Sequence, residues 1–415
     1  MDEKSEEWEE SEEWQERTIA ETKKKYDHAW PDTTPPIPEI TKSTIRRFAY
    51  GIGDDNPLWI DEEYAKNTKY EGIIAPPSIV VGCGGMGIIR GQLPPAWTEG
   101  KDAATPMHGK ESKHEVDQSG MGMDAAGFSG WYSGSRMKWF RPITAGDHLK
   151  NLNYIVSMEE KSSKFGGKDT VLITFGVDFF NPRNELVCRC HNWDFVAFRK
   201  KTREKSKYMS LKLKEHWSDE ELAPIWEQYE REYEQRRGAN PQYWEDVKIS
   251  EEWKMVKGPY TASSGIAYAI GAIGETFIKT DRLAYKTYVR NHPAVGIKNT
   301  MNIPDAPVRV HWDNDLTRRE GIPAAYDFGG QRIAWLAQII TDWMGDDGFL
   351  KTLEGDFLKF NYLGDVQWFT AKVVDKFTKG DDHMVRCDIN AVNQRGELTT
   401  SGKATVILPI KSKRG

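Results

Sequence analysis

The second half of this chain repeats the first, and the need to build one unit twice limits its fold more than any other feature. TKSTIRRFAYGIGDDN at 41–56 is echoed by TASSGIAYAIGAIGET at 261–276. Gly146-Asp147 follows RPITA in the first half, and Gly364-Asp365 follows FNYL in the second. A turn stands late in each half, Asn181-Pro182-Arg183-Asn184-Glu185 and then Asn393-Gln394-Arg395-Gly396-Glu397. Asn bonds its own backbone, Pro presets φ and Gly admits positive φ, so both stretches predict hairpins between strands.

Around these marks each half runs from helix to sheet. The first half offers a short helix, a polar loop near Asp54 to Pro57, a helix opened by Asp61 and a small-residue helix across 79–89. Four β segments follow, near 129–141, 148–161, 168–181 and 184–198. In the second half Ile333, Leu336, Ala337, Ile340 and Met344 recur at the spacing of one buried helical face, and four more β segments come after. The class is α+β with an internal duplication. Residues 1–40 form an acidic N-terminal tail, 41–198 the first domain, 199–258 a charged, partly helical connector and 259–415 the second domain. In the connector Ser218 and Glu221 have capping-box spacing, and Gly238 supplies a stop. The basic run Arg199 to Lys207 reads as solvated linker.

Composition removes whole classes of function. A net charge of −6 lacks the basic footprint of a nucleic-acid binder. No stretch reaches the roughly 20 apolar residues of a membrane span, and the acidic start is unlike a signal peptide. Four cysteines in 415 residues make no disulfide scaffold and suit a reducing, cytoplasmic setting. Cys188-Arg189-Cys190-His191 carries metal-ligand residue types, but a strand would turn His191 away from the two cysteines, so no metal is expected.

FAYGIGDDNPLWIDEEYA, at 48–65, closely resembles the hydratase signature of the MaoC-like dehydratases and R-specific enoyl-CoA hydratases. The family pattern Gly-Asp-x-Asn-Pro-x-His-x-Asp is met here by Gly53-Asp54-Asp55-Asn56-Pro57-Leu58-Trp59-Ile60-Asp61, with Trp59 where the family has its catalytic His. The second half is similar to a later part of the same pattern, through His311-Trp312-Asp313, Gly321, Pro323 and Gly329. The resemblance implies a double hotdog, in which antiparallel sheets wrap long central helices. It also implies that a His with an acid activates one water for addition to a 2-enoyl thioester. A backbone N–H at the start of the central helix would bind the thioester oxygen. Acyl-CoA or an acyl-carrier-protein thioester is the implied partner, with no cofactor, and the pseudo-dimer could pair again as a homodimer.

Chemistry then separates the halves. Eighteen residues after Trp59 comes Pro77, which has no N–H, so the first half lacks both base and donor. Its Asp54 and Asn56 read as structural or vestigial, with Asp54 bonding loop or helix-start N–H groups. The second half keeps His311, with Gly329 eighteen residues on and Gly330 beside it as oxyanion donors. Its position 306, five before the His, is Ala, which leaves two candidate acids: Asp305, and Glu275 if the repeat is anchored on Gly53 and Gly274. Asp61 and Asp313 each precede a helix and read as caps. From Asp61 to Gly146 is 85 residues against 51 from Asp313 to Gly364, an excess near 92–128 that suggests a wide cavity for a bulky acyl group. The reaction expected is reversible hydration to the (R)-3-hydroxyacyl thioester. The alternatives are a catalytically silent acyl-thioester-binding subunit and, through Asp327, a hotdog thioesterase.

Overall fold

Alternating apolar residues build the sheet, and one almost wholly buried helix fills it. The computed structural model describes residues 30–31, 37–84, 128–163, 167–198, 209–274, 278–291 and 296–411. The first half contributes β1 (Trp30–Pro31), β2 (Phe128–Trp139), β3 (Lys150–Ser163), β4 (Gly167–Phe180) and β5 (Leu186–Phe198). The second contributes β6 (Glu252–Lys257), a small hairpin of β7 (Ile297–Lys298) and β8 (Pro304–Asp305), then β9 (Phe349–Phe357), β10 (Gln367–Lys379), β11 (Asp382–Asn393) and β12 (Leu398–Ile407). The four β segments expected in the first half are β2 to β5, and the two Asn-led turns join β4 to β5 and β11 to β12.

The two half-sheets meet edge to edge. β2 pairs antiparallel with β9, from Gly134 opposite Asp356 to Lys138 opposite Thr352, and the result is one ten-stranded sheet in the order β1-β3-β4-β5-β2-β9-β12-β11-β10-β6. This is the α+β double hotdog the repeat predicts, with the two expected sheets fused into one.

Gly329–Met344 is the central helix of the second half, and 14 of its 16 residues are buried. It lies close on the strands because Gly355 and Gly402 stand beneath it: a methyl group at either would meet Leu336. The first-half counterpart starts as a 3-10 turn at Pro77–Val81, and its expected continuation to 89 passes outside the described residues.

The paired short helices hold the halves together. Lys42–Ile52 packs on Ala262–Ala272 so closely that a Cβ on Gly51 would fall 2.7 Å from that of Ala272. Gly53 and Gly274 end these helices at φ 67° and 58°, a left-handed close that Gly makes without strain.

The connector helix Asp219–Gln235 opens on the Ser218/Glu221 capping box. It covers the edge strand β6, where Glu232 accepts from the Val256 N–H at 2.6 Å and shields an edge that would otherwise be open. The six residues of β6 lie inside the 199–258 connector drawn from sequence, yet they pair with β10. Likewise Trp30–Pro31, within the 1–40 tail, pairs with β3. The basic run to Lys207 lies outside the described residues.

Candidate active site

The repeat creates two equivalent positions, and the chain has made them chemically different. In the first half Asn56 caps a one-turn helix that carries Trp59, accepting from Leu58 N at 3.0 Å. Asp54 accepts from Asn56 N with one oxygen and from Trp59 Nε1 with the other, both at 3.0 Å. These two bonds tie Asp54 to its own loop and to Trp59. Burial pushes Asp54 above the usual carboxylate range, while Lys257 and Arg236 pull against that rise. Asp342 nearby is pushed up to about 8, by burial first and then by the Asp54 charge. The Gly53 carbonyl accepts from Lys257 Nζ at 2.9 Å and Gln338 Nε2 at 3.3 Å, so second-half side chains clamp this loop. Beside Trp59, Pro77, Trp139 and Met344 line a cavity of about 30 Å³. That is room for a water molecule and far too little for an acyl thioester.

In the second half a 3-10 turn, Pro307–His311, delivers His311. The Nδ1 of His311 lies 2.8 Å from the Tyr326 carbonyl oxygen. A carbonyl only accepts, so the proton is assigned to Nδ1 and the lone pair to Nε2. The ring stacks on Phe328 with centroids 3.6 Å apart and meets Tyr326 edge-on at 5.0 Å. Burial holds its pKa down to about 4, against the opposing pull of the carbonyl contacts, so the imidazole is neutral at pH 7. One residue beyond Phe328 the central helix begins at Gly329, with no side-chain cap. Its first-turn N–H groups, those of Gly329 and Gly330, add to the positive end of the helix dipole.

Tyr132 of the first half completes the site, and sequence reasoning missed it. Its ring packs so tightly on Gly329 that a Cβ there would lie 2.2 Å from Tyr132 Cδ1. It also meets Phe357 edge-on at 5.4 Å. Nothing local to YSGSRMKW marks this residue, because its role depends on a partner almost 200 positions away.

The candidate acids are placed differently. Asp305 accepts from Ala306 N at 2.7 Å and faces Arg309 at 3.6 Å. Glu275 lies outside the described residues. Ala306, the counterpart of Asp54, offers no acid. Asp327 is held by both arms of the Arg332 guanidinium and by Asn361 Nδ2. Asp61 and Asp313 cap their helices as expected, each accepting two backbone N–H groups. Cys188 and Cys190 share one buried face with sulfurs 3.7 Å apart, while His191 on the other face meets Tyr154. Among the described residues no group of His, Cys, Asp or Glu is arranged to hold a metal, and no helix is long and apolar enough to cross a membrane.

Residues 33–117 match the family described as FAS1-like, dehydratase domain region. A "Probable enoyl-CoA hydratase alpha subunit" of Thermomonospora curvata is 24% identical over 162 residues, 39% of this chain and 46% of that relative, so the match spans about half of the relative's length. A solved "MaoC-like dehydratase" superposes with a TM-score of 0.59 at 16% identity, over 94% of this chain and 100% of that one. A Mycobacterium tuberculosis protein described as having a double hotdog fold gives 0.52 at 12% identity, over 92% and 97%. The structural likenesses show the fold.

Proposed function

Taking the chain's place among the MaoC-like hotdog proteins as premise, we propose that it adds water across a 2-enoyl thioester, or runs the reverse dehydration, at the second-half site. One observation carries this proposal: a neutral His311, with its basic nitrogen fixed as Nε2, stands immediately before the uncapped helix start at Gly329. In the hydration direction Nε2 takes a proton from water as the oxygen attacks C3 of the enoyl group. Negative charge collects on the thioester oxygen, to which the Gly329 and Gly330 N–H groups donate in this reading. One such donor is worth roughly a hundredfold to a thousandfold in rate. Return of the proton to C2 on the same face gives syn addition, and the (R)-3-hydroxyacyl product is the outcome that the resemblance implies. A carboxylate sharing the water would come from Asp305 or Glu275.

The carrier is read as CoA and the acyl group as bulky, supported by the excess length of the first half near 92–128, most of which lies outside the described residues. Four free cysteines, all buried, suit a reducing cytoplasm. The test is loss of the conjugated thioester's ultraviolet absorbance when the purified chain meets a panel of 2-enoyl-CoA substrates of rising bulk, with chiral analysis of the product. No turnover across the panel, and none with acyl-carrier-protein thioesters, would sink the proposal.

Ala306 favours one second reading, a thioester-binding subunit whose partner supplies the acid. That reading expects a bound acyl-CoA with turnover only when the partner is added. The thioesterase alternative loses its support, because Asp327 is already committed to Arg332.

A further inference from the structure

The two half-sheets are built alike down to their irregularities, which makes their differences informative. Trp139 faces Cys188 across the β2/β5 pair, and Phe357 faces Thr400 across β9/β12. Counting from there, both ladders carry an irregularity at the same place: between Tyr132 and Gly134 in the first half, and beside Val406 in the second. Register therefore matches Ser135 with Leu353, Asn192 with Ala404, Tyr132 with Leu350 and Asp194 with Val406.

All four second-half positions are apolar, and all four first-half positions are polar. Ser135, Asn192 and Asp194 are at most 5% exposed. Tyr132 Oη donates to Ser135 Oγ at 2.6 Å, and Ser135 Oγ bonds Asn192 Oδ1, so three members form a chain. Asp194 stands outside it. Among the described residues one carboxylate oxygen is buried with no hydrogen-bond partner, and on its β4 side the register partner is the fully buried Ile173. Burial alone pushes its carboxyl up to about 7. An unpartnered buried carboxylate costs stability, and a hotdog sheet does not need one there, as Val406 demonstrates.

The patch lies beside the candidate active site. Tyr132 carries it there, since one ring touches Gly329 and its strand position is directly opposite Asp194. A thioester held at Gly329 would extend its acyl group past Tyr132 towards Ser135, Asn192 and Asp194. We infer that these residues form an acyl subsite, and that the preferred substrate is a 2-enoyl thioester whose acyl group carries a hydroxyl that donates to Asp194. The inference rests on the hydratase reading for its reaction, and on the register comparison for its subsite. A pocket built to bond a hydroxyl rejects the analogue lacking it strongly, whereas an apolar pocket barely distinguishes the two.

The experiment compares kcat/KM for unsubstituted 2-enoyl-CoA thioesters with matched ones bearing a hydroxyl between the fourth and eighth carbon, in the wild type and in Asp194→Val and Ser135→Leu. Each variant installs the residue found at the matching second-half position. The wild type should prefer one hydroxylated substrate by at least about tenfold. That preference should collapse in Asp194→Val, while the variant melts at a higher temperature because a buried unpartnered carboxylate is gone. Equal kcat/KM in the wild type, or a preference that survives both substitutions, overturns the subsite and leaves the hydratase reading standing. If no thioester turns over, calorimetry with the saturated counterparts separates the two. Tighter binding of the hydroxylated one, lost in Asp194→Val, keeps the subsite and sinks the hydratase reading, whereas binding without discrimination sinks the subsite too.

Discussion

Trp59 donates its indole N–H to the carboxylate of Asp54 at 3.0 Å, in the place where the other half puts His311. The indole thus meets a carboxylate that the loop already orients through Asn56 N, and both residues are buried. An indole can donate here but cannot accept or carry a proton, so the pair is a bond and not an acid–base device. Asp54 also helps offset the buried charges of Lys257 and Arg236 at the joint between the halves.

Trp59→Phe should therefore act on stability. The indole volume is largely kept and one hydrogen bond to a buried carboxylate is lost, a cost of about 1 to 3 kcal/mol. Thermal melting should fall by several degrees, with kcat at the second-half site close to wild type. His311→Ala should do the opposite, cutting kcat by a hundredfold or more with little change in melting. A Trp59 variant that lost more kcat than the His311 variant, while still folded, would reverse the assignment of the halves.

The low pKa of His311 fixes a pH signature. A histidine held at about 4 in the folded chain, against roughly 6.5 unfolded, binds its proton less readily when folded. Its contribution to stability is complete above pH 6.5 and is lost as pH falls from there through about 4. His191, held down to about 3 chiefly by burial and also by Arg189, adds a loss of the same sign. Denaturant titrations should show stability falling steeply below pH 6.5, with a shallower slope in His191→Gln. The acid limb of kcat/KM should lie near pH 4, well below an ordinary histidine limb. An activity midpoint near 6.5 would mean that His311 is solvated, against the packing with Phe328 described above.

The acid is decided by substitution, since Asp305 and Glu275 differ in how they could serve. Asp305 already accepts its own neighbour's N–H and lies beside Arg309, so it must turn to share a water with His311. Asp305→Asn and Glu275→Gln keep size and remove charge, and the catalytic one should cost at least tenfold in kcat while the other costs little. Silence in both, with His311 still essential, would point to an acid from elsewhere and favour the partner-dependent reading.

What the sequence made legible follows the range over which each signal acts. The Asn-led turns, the Asp61 and Asp313 caps and the Ser218 capping box are decided within a few residues, and each stands as expected. The central helix was legible because its apolar face recurs over about three turns, from Ile333 to Met344. β6 was not, since EWKMVK has no clean alternation and is a strand only because Phe369 and its neighbours on β10 pair with it. Tyr132 and Asp194 escaped for the same reason. On their own strands they are one more aromatic and one more acid, and only the register of two ladders shows that the matching positions are apolar.

The helix start offers the most selective test of the oxyanion assignment, because the first half has already made the substitution. Pro77 opens its short helix where Gly329 opens the central one, and proline is tolerated at a first helical position while lacking the N–H. Any side chain at 329 collides with Tyr132, so Gly329→Ala alone would confound a lost donor with a displaced ring. Comparing Gly329→Ala with Gly329→Pro removes that ambiguity: both add a Cβ against Tyr132, and only Pro deletes the donor. Both should lower kcat, with Pro lower than Ala by roughly a hundredfold to a thousandfold if the Gly329 N–H binds the thioester oxygen. KM should differ between the two far less than kcat, because the charge on that oxygen develops only in the transition state. Equal kcat in the two variants, with circular dichroism showing an intact fold, would remove Gly329 as the donor and leave the Gly330 N–H to hold the oxyanion.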